Sequence, residues 1–160
     1  MHYWAGNATE VLNGYQNLPR NGYIPADVLL LVSRTYRVSG QPYDALLASQ
    51  RALALQPHDA DVIRNHDLAL HAASLYRQAL EWQTQHASVF SAKEKRNRQA
   101  DYAAELTRLA PQPTRTLAER FVLADRAVQL QDHILENSDE SLQSSLFRYW
   151  KPVMNLRLWH

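Results

Sequence analysis

The chain has 160 residues, 46% of them hydrophobic, which is enough for one core or one short stack of helices. Its 17 basic and 16 acidic residues leave a net charge of +1, so no overall field favours nucleic acid or an anionic membrane. The absence of cysteine excludes disulfides, thiol catalysis and Cys-based metal sites, and no apolar run approaches the roughly 20 residues of a membrane helix.

In chain order, the opening MHYWAGN lacks the basic leader and apolar segment of a signal peptide. Residues 8–18 (ATEVLNGYQNL) read as a helix broken by Pro19, Asn21 and Gly22. From Ala26 to Pro57 two helices are expected, meeting at Ser39-Gly40-Gln41-Pro42. Glycine tolerates the backbone of a tight inter-helix turn. Ala45 and Ala52 let neighbouring helices approach, and Pro57 stops the second helix. Asp59-Ala60-Asp61 supplies a cap and first-turn acid to a third helix running to about Ala73, and its partner covers Leu75 to about His86.

The pattern recurs. Gly6, Gly40 and Ser74 stand at one constant spacing, which Val11, Ala45 and Ala79 share, as do Leu12, Leu46 and Leu80. That period, 34 in a helical chain, is the mark of tetratricopeptide repeats (TPRs). In that register Gly6 is an inter-helix turn, so the chain is expected to begin near the end of a first helix, as a segment of a longer protein. The next step from Ala79 lands on Pro113, which cannot sit inside a helix. Two longer helices take over, opened by the capping boxes Ser91-Ala-Lys-Glu94 and Thr116-Leu-Ala-Glu119 and separated by Pro111 and Pro113. In the last of them Leu117, Phe121, Ala124, Val128 and Leu135 share one face, predicting the buried stripe.

No segment alternates like a strand. The expected fold is all-α: a TPR-like α-solenoid of antiparallel helix pairs, with about 2.5 repeats and then an irregular longer helix pair. Residues 1–137 form the repeat domain, and 138–160 a C-terminal helix and tail. There Phe147, Tyr149, Trp150, Leu158 and Trp159 carry too much apolar surface to stay wet. They either cap the last repeat helix or make a self-association surface.

Within residues 100–128 (ADYAAELTRLAPQPTRTLAERFVLADRAV), an AAEL-x-RL helix is followed by a Pro-Thr-Arg turn and ER-x-x-x-ADRA. This block resembles the periplasmic TPR domain of the outer-membrane porins that export poly-β-1,6-N-acetyl-D-glucosamine (PgaA/HmsH type). The matching positions are Ala104, Glu105, Leu106, Arg108, Leu109, Pro113, Thr114, Arg115, Glu119, Arg120, Ala124, Asp125, Arg126 and Ala127. Upstream, Trp4-Ala5-Gly6 and the Tyr36, Ala52, Leu53, Pro57 series stand in the same order, so the resemblance covers roughly residues 3–130. It implies a non-enzymatic periplasmic part of an outer-membrane protein, in contact with partially de-N-acetylated poly-β-1,6-GlcNAc, with its periplasmic deacetylase, or with both. The family's secretion signal and C-terminal β-barrel have no counterpart in this sequence, and residues 131–160 do not look like the family's continuation.

The seven histidines give no HExxH and no i, i+4 pair, and no phosphate-binding or nucleophile-elbow motif is present, so neither metal, cofactor nor catalysis is expected. The densest positive run, Lys93, Lys95, Arg96 and Arg98 beside Glu94, reads as a solvated helix face. Arg115, Glu119, Arg120, Asp125 and Arg126 read as structural, with Glu119 serving the cap. A binding surface is expected instead in the concave groove built from the first helix of each repeat. Register places Asp27, Leu30, Arg34 and Arg37 there from one repeat, and Asp61, Arg64, Leu68 and His71 from the next, with Tyr36 and Asn65 nearby. Acids such as Asp61 and Asp67 suit free amino groups on a glycan, and Tyr36 or Trp82 suit stacking on sugar rings. The alternative is a free-standing TPR adaptor that holds a protein peptide in the same groove. Leu30 and Leu68 stand where a terminal-carboxylate clamp needs polar groups.

Overall fold

A computed structural model describes residues 3–19 and 22–136. Seven helices follow one another: α1 (Tyr3–Gln16), α2 (Ala26–Val38), α3 (Pro42–Leu55), α4 (Ala60–Ala72), α5 (Tyr76–Gln85), α6 (Ala92–Leu109) and α7 (Leu117–Glu136). No strand occurs among the described residues, so the fold is all-α. The tail expected to cap the last helix, 138–160, lies outside them.

Two compact units divide the chain, Met1–Ser91 and Ala92–His160. In the first, α2 packs on α3, α3 and α2 both pack on α4, α4 packs on α5, and α1 packs on α2. The helix pairs α2/α3 and α4/α5 correspond in their helix starts and in the turn between their helices, although α3 runs for 14 residues and α5 for 10. Both first helices have 13 residues, so the step from Ala26 to Ala60 at their starts equals the step from Val38 to Ala72 at their ends. The turns are equivalent too. Gly40 has φ 73° and Ser74 has φ 59°, each in the left-handed region that lets one helix end and the next double back. Around them the bonds Gln41 N–H to Tyr36 carbonyl and Leu75 N–H to Leu70 carbonyl are both present, at 2.9 and 3.0 Å. Asp59 starts α4 as expected, its carboxylate accepting the N–H groups of Asp61 and Val62 at 2.9 and 3.0 Å.

Small residues decide where the helices meet. Ala45, Ala52 and Ala79 are fully buried, and Ala45 and Ala48 pack with Leu12, Val32 and Tyr36. A second cluster joins Ile24, Leu29, Ala52 and Val62. Helix α1 departs from the repeat register. Gly6 lies inside the helix rather than in a turn. One glycine costs a helix interior only about 1 kcal/mol, too little to stop it.

In the second unit α6 packs on α7. The Thr116–Glu119 capping box forms in full: Thr116 N–H and hydroxyl reach the Glu119 carboxylate at 2.8 and 2.9 Å, and Glu119 N–H returns to Thr116 Oγ1 at 3.3 Å. These bonds, from the Thr116 backbone first and its hydroxyl second, hold the Glu119 carboxyl below its ordinary pKa. The buried stripe of α7 is not the expected one. Leu117 and Phe121 are 65% and 57% exposed, while Ala124, Ala127 and Ile134 are buried in a unit whose core also contains Tyr102, Ala103, Leu106 and Ala110. Among the expected positions, Ala124 is buried and Val128 half-buried. The buried residues shared by α6 and α7 are thus partly small, Ala103 on one helix and Ala124 and Ala127 on the other. Arg126 adds a cation over the Tyr102 ring, 5.8 Å from its centroid, tying α7 to α6.

Candidate functional site

The groove residues expected from the register lie on α2, α4 and α5, and the structure sorts them by access. Asp27, Arg34, Asp61 and Leu68 are exposed, and Leu30, Arg37, Arg64, His71 and Trp82 are half-buried. Tyr36, Asn65 and Asp67 are buried. Tyr36 belongs to the core cluster and meets Tyr15 edge to face at 6.3 Å between centroids. Burial, with Arg34 nearby, lowers the Arg37 guanidinium below its ordinary pKa. His71 meets the Tyr76 ring edge to face at 5.2 Å. Arg64 is engaged by the end of its own unit: Nη2 donates to the Val89 carbonyl, and the guanidinium lies 5.5 Å from the Phe90 ring centroid. It clamps the segment after α5.

Beneath that surface runs a buried polar spine of Ser33, Ser49, Asn65 and His66. Ser33 of α2 donates to the Ala45 carbonyl of α3 at 2.8 Å and accepts from Asn65 Nδ2 of α4 at 2.9 Å. One hydroxyl therefore ties three helices. A second link joins Ser49 Oγ of α3 to His66 Nδ1 of α4 at 2.9 Å. His66 stands 34 residues after Val32, and Ser49 34 residues after Tyr15.

The protons can be assigned. Ser49 has one hydroxyl proton, and the Leu46 carbonyl, 2.8 Å away, can only accept. His66 Nδ1 then donates to Ser49, so Nδ1 carries the proton of a neutral ring. Burial lowers the His66 pKa, opposed by the Asp67 charge and assisted by His86. On its other side the ring meets Trp82 at 4.6 Å, and Trp82 stacks on His86 at 3.9 Å with 37° between planes. Trp82 Nε1 donates to the Ile63 carbonyl at 3.1 Å, and His86 Nδ1 donates to the Trp82 carbonyl at 3.0 Å.

A serine and a histidine in contact have the elements of a nucleophile and base. Here Ser49 is 0% exposed and its proton already serves a backbone carbonyl, so the pair holds α3 to α4. Among the described residues no group of three His, Cys, Asp or Glu side chains could hold a metal ion. No described helix is long and apolar enough to cross a membrane. In the positive run on α6, Lys93 is exposed and Arg98 pairs with Asp101 at 3.2 Å.

Two clefts open beside α3, the first of them reaching Tyr36 of the expected groove set. One, of about 460 Å³, is lined by Tyr15, Tyr36, Asp44, Leu47, Ala48 and Arg51, among others. The other, of about 290 Å³, is lined by Tyr15, Leu18, Pro19, Ile24 and Arg51, with Gln16. They share a bridge in which Arg51 Nη1 donates to Tyr15 Oη at 2.6 Å. The period alone gives no signal for this bridge, because its two residues do not stand one repeat apart. Compared with protein-family models, with curated proteins and with solved structures, the chain matches none.

Proposed function

We propose that the chain is a non-enzymatic, TPR-like α-solenoid segment of a biofilm exopolysaccharide export system. In this reading it is the periplasmic part of an outer-membrane porin, and it contacts partially de-N-acetylated poly-β-1,6-GlcNAc, its periplasmic deacetylase, or both. The repeat part of the reading is carried by one observation: two helix pairs whose helix starts, turn dihedrals and turn hydrogen bonds recur at the TPR period. The exporter part rests on the resemblance of residues 104–127 to that family. The exposed acids Asp27 and Asp61, one repeat apart on α2 and α4, suit the ammonium groups of a partly deacetylated glycan.

The test is a calorimetric titration with partially de-N-acetylated β-1,6-glucosamine oligomers, with fully acetylated oligomers as control. Saturable, salt-weakened binding that is lost in the Asp27→Asn/Asp61→Asn double variant is the expected result. Heat from neither oligomer would sink the glycan reading.

A second reading is a TPR adaptor for a protein peptide. It is favoured by apolar exposure on α2 and α4, where Leu31, Val38 and Leu68 all reach solvent. Binding of an amphipathic peptide, with no response to either oligomer, would select it.

A further inference from the structure

The outer face of α3 carries a stripe of residues four apart, Tyr43, Leu47, Arg51 and Leu55, flanked by Asp44, Gln50 and Ala54. Tyr43 is 67% exposed, Leu47 60% and Leu55 43%. The second helix pair is an internal control for this face. The places one repeat on are Arg77, Glu81, Gln85 and Val89, flanked by Gln78, Thr84 and Ser88. There Arg77 and Glu81 pair in the open at 2.8 Å. As far as Gln85, where α5 ends, the same turn and helix start are therefore made with a polar outer face, and nothing in them requires Tyr43 and Leu47 in water at α3. Such a stripe marks a surface that something covers.

The charges on the stripe indicate what covers it. Asp44 and Arg51 are two turns apart, about 10 Å along the helix, too far to pair with each other. Arg51 gives one N–H to Tyr15, and a guanidinium has five to give. Turned end for end, the stripe complements itself. An antiparallel second α3 centred near residue 49 sets Tyr43 against Leu55 of the second copy and Leu47 beside the Arg51 stem of the second copy. The arriving guanidinium then lies within about one turn of Asp44, inside the reach of an arginine side chain. Each contact occurs twice about a two-fold axis, as an isologous interface requires. A net charge of +1 leaves little repulsion between copies.

We propose that the outer face of α3, with the Tyr15–Arg51 bridge at its side, is a two-fold docking surface for a second copy of this chain. It stands apart from the α2/α4 surface invoked above, and neither reading depends on the other. A single helix face of this length covers well under the ~800 Å² per partner of a standard interface. The dimer is therefore weak and forms with rising concentration.

Sedimentation equilibrium of the full chain tests this, over about 10 μM to about 1 mM, a range that spans weak association constants. A monomer–dimer equilibrium is expected, weakened at least tenfold by Leu47→Glu. Asp44→Arg and Arg51→Asp should each weaken it about tenfold, and the Asp44→Arg/Arg51→Asp double variant should recover most of the loss, because the pairs re-form with charges exchanged. Tyr43→Ala weakens association without touching any charge, which keeps the test decisive if Arg51→Asp disturbs the Tyr15 contact. A monomer at every concentration overturns the proposal. So does a dimer indifferent to both Leu47→Glu and Tyr43→Ala, or a double charge variant no better than its singles.

Discussion

Ser74 gives a sharp test of whether the two turns are one device used twice. It holds φ 59° where its counterpart Gly40 holds φ 73°. A side chain in the left-handed region costs about 1–2 kcal/mol. Replacing serine by glycine removes that strain but loosens the unfolded chain, which returns about 0.4–1 kcal/mol. Ser74→Gly should therefore stabilise the protein by about 0.5–1 kcal/mol. Gly40→Ala is the mirror experiment. A Cβ there meets nothing within 4 Å, so its whole cost is backbone. It should destabilise by about the same 0.5–1 kcal/mol. Equilibrium urea unfolding followed by far-UV circular dichroism reads both as midpoint shifts at constant slope. Opposite signs of similar size are the expected result. If Ser74→Gly destabilises the chain, or both variants shift the same way, the two turns are not equivalent in energy and the helix-pair argument loses its main support.

Other outcomes follow from the same structure. His66 is held neutral, with its pKa lowered by burial, so the unfolded chain binds the extra proton first. Stability is then expected to fall as pH drops below the unfolded value of about 6.5 and to level off below the folded pKa. A His66→Gln variant should lose that part of the slope in urea midpoints measured against pH, and an unchanged slope would refute the assignment. Thr116→Ala removes the cap of α7 and should cost about 0.5–2 kcal/mol, visible as faster amide exchange in the first turn of that helix. On α7, Ala127→Leu should cost about 1–3 kcal/mol by overpacking the contact with α6, whereas Phe121→Ala, on the exposed face, should change stability by under about 0.5 kcal/mol. Reversal of that order in thermal melts would restore the face expected from periodicity alone.

Local features were legible in the letters because each is set by residues close in sequence. The Gly40 and Ser74 turns, the Asp59 cap, the Thr116–Glu119 box and the start of every helix from α2 to α5 depend on backbone conformation and on side chains within one turn. The repeat period carried them from one pair to the next. Its weakness showed at α1, where a glycine that turns the chain in one repeat sits inside a helix in another. A register position names a place, and the neighbours decide what happens there.

Access was the quantity the sequence did not contain. Tyr36, Asn65 and Asp67 stand on helices whose neighbouring positions Arg34, Asp61 and Leu68 are exposed, yet packing of α2 on α3 and α4 buries them. Arg64 lies on α4, and its hydrogen bond to Val89 reaches past the whole of α5 to a backbone carbonyl no pattern can announce. The buried face of α7 has the same origin. Periodicity allowed a face of large residues, and packing on α6 left Leu117 and Phe121 exposed and buried Ala124, Ala127 and Ile134. The sequence by itself determined the helices and the turns between them. Only the tertiary structure decided which side chains meet water, because burial is a property of two surfaces together and each helix supplies just one.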